Sequence, residues 1–124
     1  MKKVKVYNVD PVFSDQRGHI FDILEENVGH VGMVTFAKKG LARGKHYHKK
    51  STQYTYILNG KVKLITSDVK GNNKNEFVLE KGAFAEIPPN VVHTYVSLSK
   101  AEMLDMTTVN RKKQGYEKDT IRVS

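Results

Sequence analysis

Three histidines and one glutamine stand where their side chains could converge on a single site. His46 and His48 lie two residues apart in Gly40-Leu41-Ala42-Arg43-Gly44-Lys45-His46-Tyr47-His48-Lys49-Lys50-Ser51-Thr52-Gln53. Side chains alternate faces along a strand, so the two imidazoles point the same way. A reversal over 49–52 would turn Gln53 back toward them. His93 opens a later β-prone run, after Gly82 and Pro88. Three imidazoles with one oxygen donor suit a divalent metal such as zinc, nickel, manganese or iron. Without a metal, His46 and His48 are candidate bases, because imidazole titrates near neutrality. Tyr95 is two residues from His93 and shares its face. It could return a proton or simply line the interior.

The elements that would position these residues read as strands. Runs rich in Val, Ile, Phe, Tyr and Thr recur every eight to twelve residues between turn residues, the pattern of an all-β sandwich or barrel. Strands are expected near Lys3–Val9, His19–Leu24, Gly32–Ala37, Gly44–His48, Gln53–Leu58, Lys61–Ser67, Glu76–Glu80, Phe84–Ile87, Val92–Ser97 and Glu102–Val109. Asn59-Gly60 between two such runs predicts a type I′ hairpin, whose central residues both need positive φ. Lys70–Asn75 reads as a polar loop, and Pro88-Pro89-Asn90 ends a strand. No helix, repeat or linker is expected. The charged tail 110–124, with Tyr116 and Ile121 as apolar anchors, is expected to run along the surface or reach a partner subunit.

The 124 residues suit one domain spanning 1–124, large enough to fold without staples. The chain has no cysteine, which removes thiol nucleophiles, thiolate metal sites and disulfides. No apolar run is long enough to span a bilayer, and no apolar segment follows the basic start, so a cytoplasmic protein is expected. The net charge is +8, from 21 Lys+Arg against 13 Asp+Glu. The lysines are scattered and carry no nucleic-acid-binding signature, so neither nucleic acid nor membrane is the expected partner. A small anionic ligand remains compatible with that charge.

The frame around the histidines resembles the two sequence motifs of the cupin superfamily. Gly40, His46, His48, Gln53 and Gly60 follow the spacing of the first, and Gly82, Pro88 and His93 that of the second. The resemblance spans about 40–97 and implies a cupin jelly-roll β-barrel. Gln53 stands where the family usually has Glu, Asn90 where it has Gly, and Ser97 where it has Asn. A neutral glutamine would leave a bound 2+ ion its full charge, which favours Lewis-acid chemistry.

Arg43-Gly44-x-His46-x-His48-Lys49-Lys50-x-x-Gln53 and Asp15-Gln16-Arg17-Gly18 are similar to segments of the nucleotide-sugar cupins. These include dTDP-sugar 3,4-ketoisomerases, rhamnose-pathway 3,5-epimerases and the cupin half of capsule-biosynthesis reductases. The resemblance implies an isomerase or epimerase of a keto sugar in surface-polysaccharide biosynthesis. His46, His48 and Tyr95 would be catalytic, and Arg17 and Arg43 would meet the substrate diphosphate. Strand alternation would turn Arg43 and Lys45 away from the histidines unless the strand bends. Lys45, Lys49 and Lys50 read better as a solvated edge. The resemblance also implies a homodimer, with Tyr47 and the N-terminal strand as contacts. Another metal-dependent cupin enzyme (dioxygenase, lyase or uronate-processing) and a non-catalytic sugar-binding cupin are the alternative functions.

Overall fold

The computed structural model describes residues 3–112 and 115–123. Two five-stranded antiparallel sheets face each other across one core. The first runs in the order β1 (Lys5–Asn8), β9 (Ala83–Ile87), β6 (Gln53–Asn59), β11 (Ala101–Thr107), β4 (His30–Phe36). The second runs β12 (Thr120–Arg122), β5 (Ala42–His48), β10 (Val92–Ser97), β7 (Lys61–Ser67), β8 (Asn75–Glu80). A separate two-stranded hairpin, β2 (Phe13–Asp15) and β3 (Gly18–Ile20), lies outside both. This is the expected all-β jelly roll. Ile57, Val62, Leu64, Leu79, Ala85 and Ile87 fill the space between the sheets with at most 1% exposure each. Burying a side chain of the Leu or Ile kind stabilises the fold by about 1.5–3 kcal/mol.

Strand alternation sorts the residues as expected. Gln53, Thr55 and Ile57 face inward, while Tyr54 and Tyr56 face outward. The outer face of the first sheet is itself apolar. Tyr54, Phe84 and Met106 are buried there under Val9, Ile23, Leu24 and Val28. This covering role explains why only Gly18–Ile20 of the expected strand His19–Leu24 is paired.

Two expectations are overturned. The Asn59-Gly60 hairpin does not form, because β6 pairs with β9 and β11 whereas β7 pairs with β10 and β8. Only Gly60 has positive φ, at 83°. The chain turns there from one sheet into the other, pressed so closely on Lys100 and Ala101 that a Cβ at Gly60 would fall within 2.2 Å of the Lys100 carbonyl oxygen. Long-range pairing prevails over the local turn signal, since each of the two strands is hydrogen-bonded on both edges within its own sheet.

The second correction concerns the tail. Gly115–Asp119 forms a five-residue helix, α1, and Thr120–Arg122 adds β12 to the edge of β5. Residues 113, 114 and 124 of the tail lie outside the described residues. The buried Asp119 carboxylate accepts hydrogen bonds from the backbone N–H groups of Lys50 (2.7 Å) and Ser51 (3.0 Å). The tail therefore clamps the turn that follows His48. Among the described residues, no helix is long and apolar enough to cross a membrane.

Candidate active site

The inward-facing polar residues gather in one part of the barrel interior. His93 on β10 pairs across with His46 on β5, and Tyr95 with Arg43. On the opposite sheet, Thr55 of β6 pairs with Asp105 of β11. The sheets join through a hydrogen bond between the hydroxyls of Tyr95 and Thr55. The ring nitrogens of His46, His48 and His93 that could act as ligands lie within 4.8 Å of one another. The three rings stand 4.6–5.4 Å apart by their centroids. A cavity of about 160 Å³ opens beside them, lined among others by His46, Gln53, His93, Tyr95, Asp105 and Arg43.

A β-bulge brings Arg43 to this cavity. The register of β5 on β10 slips between His93 and Thr94, so Gly44 and Lys45 together take the place of one residue. Both have positive φ, at 100° and 62°. The extra residue resets the alternation and turns Arg43 to the same side as His46. Its guanidinium donates to the Thr35 carbonyl at 3.1 Å and lies over the Phe36 ring. Lys45 is left on the outer side. Asn90 supplies a second bend, with φ 65° where the motif has glycine. Asn is among the few side chains that tolerate this backbone, so that departure keeps the geometry.

Each histidine has a distinct environment. His48 is 2% exposed. Its Nδ1 lies 3.2 Å from the Thr120 hydroxyl and 4.0 Å from an Asp119 carboxylate oxygen, and its Nε2 lies 2.8 Å from the Gln53 amide. The Thr120 hydroxyl already donates to the Tyr116 carbonyl, so it stands as an acceptor toward Nδ1. Gln53 Oε1 on the Nε2 side is likewise an acceptor, so a neutral His48 donates from one ring nitrogen and an imidazolium from both. Burial lowers its pKa, against the pull of Gln53 and Asp119. His93 is almost fully buried, its Nδ1 is 3.1 Å from the Val91 carbonyl, and its Nε2 has no hydrogen-bond partner. Burial and then the neighbouring His46 push its pKa down to about 3. Burial and the charge of His48 lower His46 to about 4. All three rings are therefore neutral at pH 7. Burial raises the pKa of Tyr95, keeping its hydroxyl protonated.

Arg17 is not brought to the cavity. It sits at the exposed turn of the β2–β3 hairpin, where its guanidinium donates to Asp15 at 2.6 Å and 3.0 Å. Several residues that sequence reasoning missed do reach the site. Asp119, Thr120 and Tyr116 arrive through the folded tail, and the Tyr116 ring lies tilted beside His48, centroids 5.5 Å apart. Arg111 lines the cavity and lies over Tyr116 at 4.3 Å. Asp105 also lines it. A carboxylate between Leu104 and Met106, in a strand apolar on both faces, is a sequence signal that could have revealed Asp105. Nothing local marks the tail residues, because only the β12–β5 pairing places them.

The residues present fit a divalent cation, since three clustered imidazoles include a buried, partnerless Nε2 on His93 and lie against the Gln53 amide. Bent strands carrying three neutral histidines into a jelly-roll interior define a cupin-type barrel. The polysaccharide biosynthesis C-terminal domain model matches residues 13–121, and the chain belongs to that family. No curated protein matches the sequence. Solved structures agree on the fold. A sugar 3,4-ketoisomerase from Thermoanaerobacterium thermosaccharolyticum, in complex with TDP, superposes with TM-score 0.80 at 23% identity, covering 97% of this chain and 88% of that one. A 3,4-ketoisomerase from Helicobacter canadensis gives TM-score 0.81 at 20% identity over 99% and 92%. A dTDP-4-dehydrorhamnose 3,5-epimerase from Sulfolobus tokodaii gives 0.78 at 20% over 98% and 77%.

Proposed function

We propose that this protein is a ketoisomerase of a nucleotide-linked 4-keto sugar in surface-polysaccharide biosynthesis. The observation that carries the reading is the cavity itself. Neutral imidazoles and one carboxyl line it, with arginines beside them, in a barrel shared with sugar ketoisomerases and epimerases. A 4-keto group acidifies the proton on C3. A neutral imidazole can take that proton, and the resulting imidazolium can return it to C4.

His48 is the base in this reading. Gln53, Thr120 and Asp119 set acceptors against both of its ring nitrogens, which stabilises the imidazolium once formed. His46 lies beside it on the cavity wall, and Tyr95 is anchored to Thr55. Arg43 and Arg111 lie where a diphosphate could be met by guanidinium forks. A divalent ion, if bound, would be held by His46, His48, His93 and Gln53 and would polarise the keto oxygen.

The chain also forms a homodimer in this reading, through the outer face of the first sheet. Val31 and Met33 on β4 and Tyr7 on β1 are 57%, 60% and 51% exposed on that apolar face. Tyr47 lies on the other sheet, paired with Ile121, so of the two contacts expected only the N-terminal strand belongs to this surface.

The test is incubation with TDP-4-keto-6-deoxyglucose, the ligand named in a neighbour's complex, in deuterated water with NMR detection. Deuterium entering at C3 or C4 together with a 3-keto product is the expected result. His48→Asn should lower turnover by about 10³-fold or more, and His46→Asn by less. Binding of the nucleotide sugar without exchange or turnover would sink the enzymatic reading in favour of a sugar-binding role. Elemental analysis of the purified protein, with His93→Ala alongside, decides the cation. Stoichiometric metal lost in the variant would turn assays toward metal-dependent chemistry, oxygen uptake included.

A further inference from the structure

The Asp105 carboxyl is the acidic group of the cavity that the proposed function leaves without a task. It faces inward from β11, opposite Thr55, on the wall shared with His46, His93 and Tyr95. It is 8% exposed, and its Oδ1 has no hydrogen-bond partner. A buried oxygen left unpaired costs stability, so packing alone gives no reason for a carboxyl there. Among the described residues it is the only carboxylic acid lining the cavity.

Moving a keto group from C4 to C3 requires two proton transfers of different kinds. One proton passes from C3 to C4, which is the work of the histidine. The other must leave the hydroxyl at O3 and arrive at O4. A carboxyl suits the second task because its protonated oxygen donates while its other oxygen accepts. We propose that Asp105 is a further catalytic residue, carrying the hydroxyl proton between O3 and O4 of the sugar. The proposal rests on the ketoisomerase reading.

The steps balance. As the base takes the proton from C3, the C–H electron pair forms the C3=C4 double bond. The C4=O4 π pair moves onto O4, which takes the Asp105 proton and gives an enediol. In the second half, the O3 proton passes to the carboxylate and the O3–H pair forms C3=O3. The C3=C4 pair then takes the proton from the imidazolium at C4. Both protein groups end as they began. Burial, opposed by Arg111, raises Asp105 to about 6, so a working fraction holds its proton near neutral pH.

Asp105→Asn tests this, because an amide can still hydrogen-bond O4 but cannot deliver a proton. With TDP-4-keto-6-deoxyglucose in deuterated water, the variant should still exchange deuterium at C3 within about tenfold of wild type. Formation of the 3-keto product should fall by about 100-fold or more. The thermal midpoint should be no lower than that of wild type, since an unpaired carboxylate has been removed. Turnover near the wild-type rate would overturn the proposal. So would loss of exchange in step with turnover, or a variant that does not fold, since these assign Asp105 to the carbon proton or to structure. A wild type that neither exchanges nor isomerises would instead refute the underlying reading, and the proposal with it.

Discussion

At the scale of single residues, burial determines how this site behaves with pH. His93 falls to about 3 and His46 to about 4, both below the ordinary 6.5. The unfolded chain therefore takes up protons before the folded one as pH drops below about 6.5. For His93 this removes up to about 1.4 kcal/mol of stability per pH unit. Asp105 has the opposite sign. Its folded value of about 6 lies above the ordinary 3.8, so the unfolded chain ionises first as pH rises from about 4 to about 6, and stability falls. Urea midpoints of chelator-treated protein should rise with pH over this window, and Asp105→Asn should make the rise steeper. Tyr95→Phe makes a different prediction. Its hydroxyl is bound to Thr55, so loss of that contact should cost about 1–2 kcal/mol in urea unfolding while lowering turnover less than tenfold.

At the scale of elements, the bulge in β5 and the clamp from the tail hold the site in shape. Gly44 has φ 100°, and an added Cβ would lie 2.8 Å from the His93 carbonyl oxygen. Gly44→Ala should therefore destabilise by about 2–4 kcal/mol and impair turnover by displacing Arg43 and His46 together. Urea unfolding and steady-state kinetics would check both effects. Asp119→Ala leaves the N–H groups of Lys50 and Ser51 without their acceptor and removes the charge behind His48. A stability loss of about 2–4 kcal/mol is expected in the same unfolding assay. Asp119→Asn keeps an acceptor oxygen, so it should restore much of the stability while leaving turnover low.

At the scale of the whole molecule, one sheet is apolar on both faces. Its inner face builds the core. Its outer face is only partly covered, by Val9, Ile23, Leu24 and Val28. The remainder, with Tyr7, Val31 and Met33 exposed, fits a second copy of the chain packed face to face. Light scattering on a sizing column should give a dimer for the wild type. Met33→Glu should give a monomer with a lower thermal midpoint, because it places a charge in that apolar contact.

The sequence by itself determined the strand runs, the inward set Gln53, His93, His46 and His48, and the jelly-roll class. Those follow from two-residue alternation and motif spacing, which are local. The tertiary structure decided what depends on distant partners. It sent β6 and β7 to different sheets despite Asn59-Gly60. It turned Arg43 inward through a register slip against β10. It folded a charged tail into the strand that supplies Thr120 and Asp119 to His48. In each case the deciding hydrogen bonds join residues far apart in the chain, so no local pattern could record them.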